Sequence, residues 1–258
     1  LLDEEAHILG EEILAKQRVA GFTPVAKPDP KSDFKPDPTP SLPEESHEFV
    51  AGKPFALSSS YGPSSQIVKK MAEVSEEKGK NIPLYVYELM QGQVDYGRNA
   101  DPPPRIWIEK KSGKREVFNG LGIEQTKDDP ITAIEFVNGG IGMTPEDAVI
   151  DRHGGGEDTL GMHGHGTTVS LCYLTKLGMP VSIRSHYRGN TWSGRTSLKT
   201  TESGVAKILH LDGKWEKDSE PKNTVFRVEN PTATMVKDLS RAGQYFIYAN
   251  PKYPGAVL

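Results

Sequence analysis

Glu135-Phe-Val-Asn-Gly-Gly-Ile-Gly-Met143 and Gly161-Met-His-Gly-His-Gly166-Thr-Thr-Val-Ser170 are two glycine clusters joined by a polar stretch. Ile131 to Val137 leads into the first and reads as a strand. Thr167 to Lys176 follows the second and reads as an apolar helix. Glycine lets a backbone approach a ligand closely and take dihedral angles that other residues avoid. Two such points flanking a loop predict a nucleotide pocket with a lid.

Outward from this centre, Pro83 suits the first turn of a helix running from Leu84 to about Tyr96, and Ser64 to Lys80 reads as another, with Ile67, Val68, Met71 and Val74 on one face. Arg105 to Glu109 alternates like a strand and Lys111 to Lys114 reads as a turn. Thr144-Pro-Glu-Asp147 opens a short helix with Thr144 as N-cap. Residues 180–184, 204–211 and 224–228 are strand-like, 234–241 is a helix, and Gln244 to Tyr248 reads as a final strand. Helices come first and a mostly hairpin-linked sheet follows. That order predicts an α+β fold, a two-layer sandwich with a mixed, mainly antiparallel sheet under helices.

Residues 1–22 hold an expected helix over 3–20. Residues 23–54 form a linker or arm, because seven prolines between Pro24 and Pro43 forbid helix or central strand. The folded domain is expected over 55–250, with 251–258 opening a following segment. The chain has 258 residues, 35% of them apolar, with 26 Gly, 20 Pro and a net charge of −4. This balance gives no global basic field for nucleic acid. The single Cys172 excludes an internal disulfide and fits a reducing compartment. No apolar run approaches the ~20 residues that span a bilayer, and Leu-Leu-Asp-Glu-Glu at the start lacks the basic start and apolar core expected of a signal peptide. The expected location is the cytoplasm, or the nucleus of a eukaryote, with no membrane partner and no secretion. With no initial Met and an end at Pro254-Gly-Ala-Val-Leu258, the sequence is expected to be a piece of a longer chain.

Three segments line up in order: Glu88-Leu-Met-Gln-Gly-Gln-Val-Asp95 on the predicted helix, Asn138-Gly-Gly140-Ile-Gly142-Met143, and Gly161 to Gly166 running into a helix. Their order, spacing and flanking elements, over roughly residues 60–250, resemble the GHKL ATPases of the Bergerat fold. That group includes gyrase B subunits, MutL-type mismatch-repair ATPases, sensor histidine kinases, heat-shock chaperones and the MORC proteins. The third segment matches the family's G-x-x-G-x-G box at every glycine. The second matches D-x-G-x-G-M except that Asn138 replaces the aspartate. The first matches E-x-x-x-N-x-x-D-A in part, with Gly92 at the asparagine.

The resemblance implies ATP as ligand, Mg²⁺ as cofactor and slow hydrolysis driving a conformational or dimerisation cycle. It further implies a homodimer and, in many members, action on DNA or a protein partner. Glu88 then polarises the attacking water as general base. Asp95 lies two helical turns on and faces the same way. Gly92 carries no oxygen for the metal; Gln91 and Asp95 are the candidate replacements, since Mg²⁺ prefers hard oxygen ligands. Asn138 accepts from the adenine amino group through a neutral carbonyl, a loss of about 1 kcal/mol against a carboxylate. Gly140 and Gly142 let the base lie flat beside Met143. Gly161, Gly164 and Gly166, beside His165, turn N–H groups toward phosphates at the helix start, with Thr167 and Thr168 adding hydroxyls. Residues 149–160, with His153-Gly-Gly-Gly156 as hinge, form the lid.

Blander readings stand beside these. Glu88 alone is an ordinary exposed helix acid, and Asn138-Gly-Gly a strand-ending turn. The third segment also fits a dinucleotide loop, although no strand precedes it. His153, His163, His165, Cys172 and His186 invite a metal site, but His at i and i+2 is a poor chelating pair. Changes at Gly92 and Asn138 also suit an inactive domain kept as an interaction platform. Arg184, His186, Arg188, Arg195 and Lys199, with Tyr187 and Trp192 interleaved, read as a solvated hairpin face or a contact for nucleic acid or a partner. Trp107 reads as sheet packing.

Overall fold

Side-chain alternation sets the middle of the sheet. In the strand Ile131–Asn138 (β4), Glu135 and Val137 face one side, and Ile134, Phe136 and Asn138 face the other. The computed structural model describes residues 50–71, 83–97, 103–120, 123, 126–140, 142–149, 165–217 and 221–246. The expected helix at 3–20, the proline-rich stretch, the lid, Gly161, Gly164 and residues 251–258 lie outside them.

The remaining strands are Pro54–Ser58 (β1), Arg105–Lys110 (β2), Arg115–Val117 (β3), Val181–Tyr187 (β5), Asn190–Thr200 (β6), Lys207–Glu216 (β7) and Thr224–Glu229 (β8). They form one eight-stranded sheet in the order β1-β7-β6-β5-β8-β4-β2-β3. The expected mixed sheet is antiparallel at every described junction. Tight turns enforce this locally, because two residues can only join antiparallel neighbours. Between β5 and β6 the turn residues Arg188 (φ 48°) and Gly189 (φ 80°) both sit left-handed, which matches the twist of the flanking strands. The class is α+β.

Five helices are described: Gln66–Lys70 (α1), Leu84–Gly97 (α2), Pro145–Val149 (α3), His165–Lys176 (α4) and Ala233–Gly243 (α5). They pack on the face that carries Ile106, Ile108, Ile134, Phe136, Ile183, Leu209, Leu211, Phe226 and Val228. Burying such a side chain contributes about 1.5–3 kcal/mol. Helix α4 is the most enclosed, with Thr168 to Cys172 and Leu174 all at 0% exposure. Burial pushes the Cys172 thiol up to about 11, so at neutral pH it is a protonated packing group. No described helix is long and apolar enough to cross a membrane.

Caps fix the short helices. Thr144 Oγ1 accepts from Asp147 N at 3.2 Å while Asp147 Oδ2 accepts from Thr144 N at 2.8 Å, a reciprocal pair that starts α3. Thr232 Oγ1 accepts from Met235 N at 3.2 Å and starts α5. Gln244 to Phe246, expected in a strand, are a turn ending α5. The aromatic run reads as strand because Phe246 is buried, but it is buried against Tyr87 of α2, with ring centroids 5.2 Å apart.

One buried polar contact ties α2 to α5. Tyr85 Oη donates to Asp238 Oδ2 at 2.7 Å. Burial raises the Asp238 carboxyl above its ordinary range, with the Tyr85 hydrogen bond opposing. The native state therefore holds that proton more tightly than the unfolded chain. The group's contribution is full below the unfolded value near 4 and falls as pH rises through the folded value. Asp238→Asn keeps an oxygen for Tyr85 and removes the charge. Its melting temperature relative to wild type is expected to be higher at pH 7.5 than at pH 4.5; a difference that stays constant or reverses contradicts this account.

Candidate functional site

Three separate segments meet on the helix-covered side of the sheet. Leu89, Gly92 and Gln93 come from α2, Asn138 and Met143 from the end of β4 and the loop after it, and Thr167 from the first turn of α4. With Phe226 they line one small cavity of about 10 Å³, room for one water at most.

Asn138, 3% exposed, is held at both ends of its amide. Its Nδ2 donates to Gln93 Oε1 at 2.8 Å, and its Oδ1 accepts from Gly140 N at 3.0 Å. The second bond is the local turn that Asn-Gly-Gly sequences favour. Gln93 lies one turn beyond Leu89 on the same helix face and is 2% exposed. Sequence reading passed over it in favour of its neighbour Gln91, which is not in the cavity wall. The signal for Gln93 was its i+4 spacing from Leu89.

The glycine loop is anchored from the strand side. Met143 N donates to Ser185 Oγ at 2.9 Å, and the Trp192 indole N–H donates to Met143 O at 2.7 Å. Ser185 Oγ in turn lies 2.8 Å from Thr224 Oγ1. Gly142 has φ +78°, and a methyl group there would overlap the His186 carbonyl oxygen. Both the angle and the close approach demand glycine.

Helices α2 and α4 approach closely at the site. The Glu88 carboxylate lies where a Gly166 side chain would be, so only glycine fits at 166. Glu88 is half-buried and thus sits against the N-terminal turn of α4, whose positive end suits a carboxylate. Helix α4 begins at His165, so Gly166, expected in the loop, is helical. Thr168 is fully buried and donates to Ala148 O at 3.2 Å. Its hydroxyl is therefore turned toward α3, about 100° around the helix from Thr167. Asp95 lies in α2, but its side chain, like that of His165, falls outside the described residues.

Gly92 faces the same junction under less constraint. A methyl there would meet only Thr167 Oγ1, at an ordinary 3.6 Å. Glycine inside a helix costs about 1 kcal/mol against alanine. Gly92→Ala is expected to raise stability by about 0.5–1 kcal/mol, read as a rise in urea midpoint at unchanged slope. A fall of that size would mean the helices are closer at this point than described.

The other sequence candidates lie elsewhere. Trp192 is fully buried, so it is not an exposed ring within the basic run. Trp107 is half-buried on the sheet face away from the helices, with the Arg115 guanidinium 4.9 Å above its ring. His153 and His163 fall outside the described residues. Among the described residues no three His, Cys, Asp or Glu side chains gather as metal ligands. Compared with known proteins, the chain matches no family model and no curated protein.

Proposed function

We propose that this chain is a Bergerat-type ATP-binding domain that holds ATP with Mg²⁺ between α2, the loop after β4 and α4, and hydrolyses it slowly. One observation carries the reading: Glu88, Gly92, Gln93, Asn138, Met143, Gly166 and Thr167, from three distant segments, converge at one junction. An antiparallel sheet with helices on one face supports it as the scaffold. In this reading Glu88 accepts a proton from the attacking water. Asn138 meets the adenine amino group with its remaining oxygen lone pair, since an amide oxygen has two. Gly166 and Thr167 offer donors at the start of α4. When bound, Mg²⁺ supplies charge neutralisation on the phosphates. Thr167, in the cavity wall, is a described hard-oxygen donor that would suit it, and Gly92 offers no side-chain oxygen. A cavity of about 10 Å³ is far too small for a nucleotide, so entry requires the site to open. Lid closure then drives the conformational or dimerisation cycle.

A second reading, an inactive domain kept as an interaction platform, is favoured by the same amide: both ends of Asn138 already have protein partners. Thermal unfolding separates the two. A ligand at one hundred times its Kd stabilises the native state by about 2.7 kcal/mol, roughly 5–10 °C for a domain of this size. A shift with ATP that requires Mg²⁺ and is not reproduced by GTP supports the enzyme. No shift at 5 mM ATP leaves the platform.

A further inference from the structure

We propose that the sheet face turned away from the described helices binds single-stranded nucleic acid. This inference does not rest on the nucleotide site, which lies on the opposite face.

A broad depression of about 1090 Å³ runs across β2, β4, β8, β5, β6 and β7. Six strands at a spacing of about 4.8 Å make a strip roughly 24 Å across. Its described basic lining is Arg105, Arg115, Arg184, Arg195, Lys214 and Arg227; its carboxylates are Glu135 and Asp212. A chain of net charge −4 thus concentrates cations on one surface. Carboxylates neutralise part of this set. Arg227 pairs with Glu109 at 2.8 Å and Glu135 at 2.6 Å, Arg115 with Glu135, and Arg195 with Glu229 at 2.6 Å. Among the described residues Arg105 and Lys214, at opposite ends of the strip, make no ion pair. Arg184, midway, donates to Pro221 O at 2.7 Å and Asn223 Oδ1 at 3.1 Å and is held in place there.

Charge alone would suit any polyanion. The stacked pair selects among them. Arg115 lies over Trp107 at 4.9 Å, its side chain is 48% exposed, and both residues line the depression, so a guanidinium paired with an indole borders it. Unpaired bases stack on such surfaces, whereas an acidic peptide has no use for them. Val137, Val225 and the bare backbone of Gly194 and Gly213 leave the floor flat between the cations. Cations spread along an aromatic-bearing antiparallel sheet match phosphates spaced along a strand whose bases are turned inward. The strip's length suits the smallest footprints of such sites, about four nucleotides.

The test is fluorescence anisotropy of a labelled oligothymidine 12-mer with the full chain. Two phosphate contacts, from Arg105 and Lys214, predict a slope of log affinity against log salt near −1.4, or roughly a sevenfold loss between 50 and 200 mM. Arg105→Ser with Lys214→Ser is expected to bring the slope close to zero. Trp107→Leu is expected to weaken binding at least fivefold, and a duplex of the same sequence to bind at least fivefold more weakly than the single strand. Circular dichroism melts of each variant confirm the fold; Arg105 and Lys214 are exposed, so little change is expected from the double variant. Glu88→Ala should bind the oligonucleotide as wild type does, which separates this surface from the nucleotide site. No saturable binding below about 100 µM overturns the proposal. So does a folded double variant that binds unchanged, equal binding of the duplex, or equal competition by poly-glutamate of matched charge, which would place an acidic protein there.

Discussion

Glu88→Ala is expected to lower steady-state phosphate release by about 10²-fold or more while ATP still raises the melting temperature. A positioned general base contributes typically 10²–10⁴-fold, so its loss outweighs any change in ground-state binding. The motive is the position of Glu88 against Gly166, at the turn of α4 that carries Thr167. Alanine also opens a space there, so Glu88→Gln is the companion variant. It keeps the shape, cannot take a proton, and should lose as much activity with an unchanged thermal shift. Phosphate release by either folded variant within threefold of wild type removes Glu88 from the chemistry. If neither variant nor wild type shows a thermal shift with ATP, the site is not a nucleotide site and the platform reading stands.

Gly142→Ala is expected to cost about 3–4 kcal/mol and lower the melting temperature by roughly 10 °C. Left-handed geometry costs an alanine about 1–2 kcal/mol by itself. Here the new methyl also overlaps the His186 carbonyl, which belongs to a strand and cannot yield. The loop must move instead, breaking the hydrogen bonds from Met143 N to Ser185 Oγ and from Trp192 Nε1 to Met143 O. Each contributes about 1 kcal/mol. Gly52→Ala is the control: its φ is +86°, yet nothing lies within 4 Å. It should show the conformational part alone. Equal losses at the two positions would show that the contact with His186 is not what holds this loop.

The elements that could be read in the sequence are those whose side chains carry their own pattern. β2 and β4 alternate or run apolar, α2 and α4 bury clear faces, and Thr144 sits at the start of its helix as its chemistry demands. β6 escaped. Its inward positions are Trp192, Gly194, Thr196 and Leu198, with Ser193, Arg195 and Lys199 opposite, so a buried strand reads as polar. Gly194 is small because a side chain there would press on Leu211, and Thr196 is polar because its hydroxyl accepts from Val181 N at 2.9 Å. Neither reason exists until β5 and β7 are in place. β1 was lost for a different cause: five residues beginning with proline are too short to declare a period. At the junction, Asn138, Met143 and Thr167 could be picked out because glycine spacing marked them, and Glu88 only through the family resemblance. Gln93 could not, since its role depends on an amide 45 residues away.

Among the described residues β1 pairs with β7 alone, and Ser58 meets His210 across 152 residues of chain. A ribosome adding 5–20 residues per second therefore leaves this first strand without its partner for roughly 8–30 s. During synthesis Phe55 and Leu57 have no neighbours to cover them. Newborn chains should thus depend on chaperones, or on slowed translation, far more than the finished domain does on refolding from denaturant.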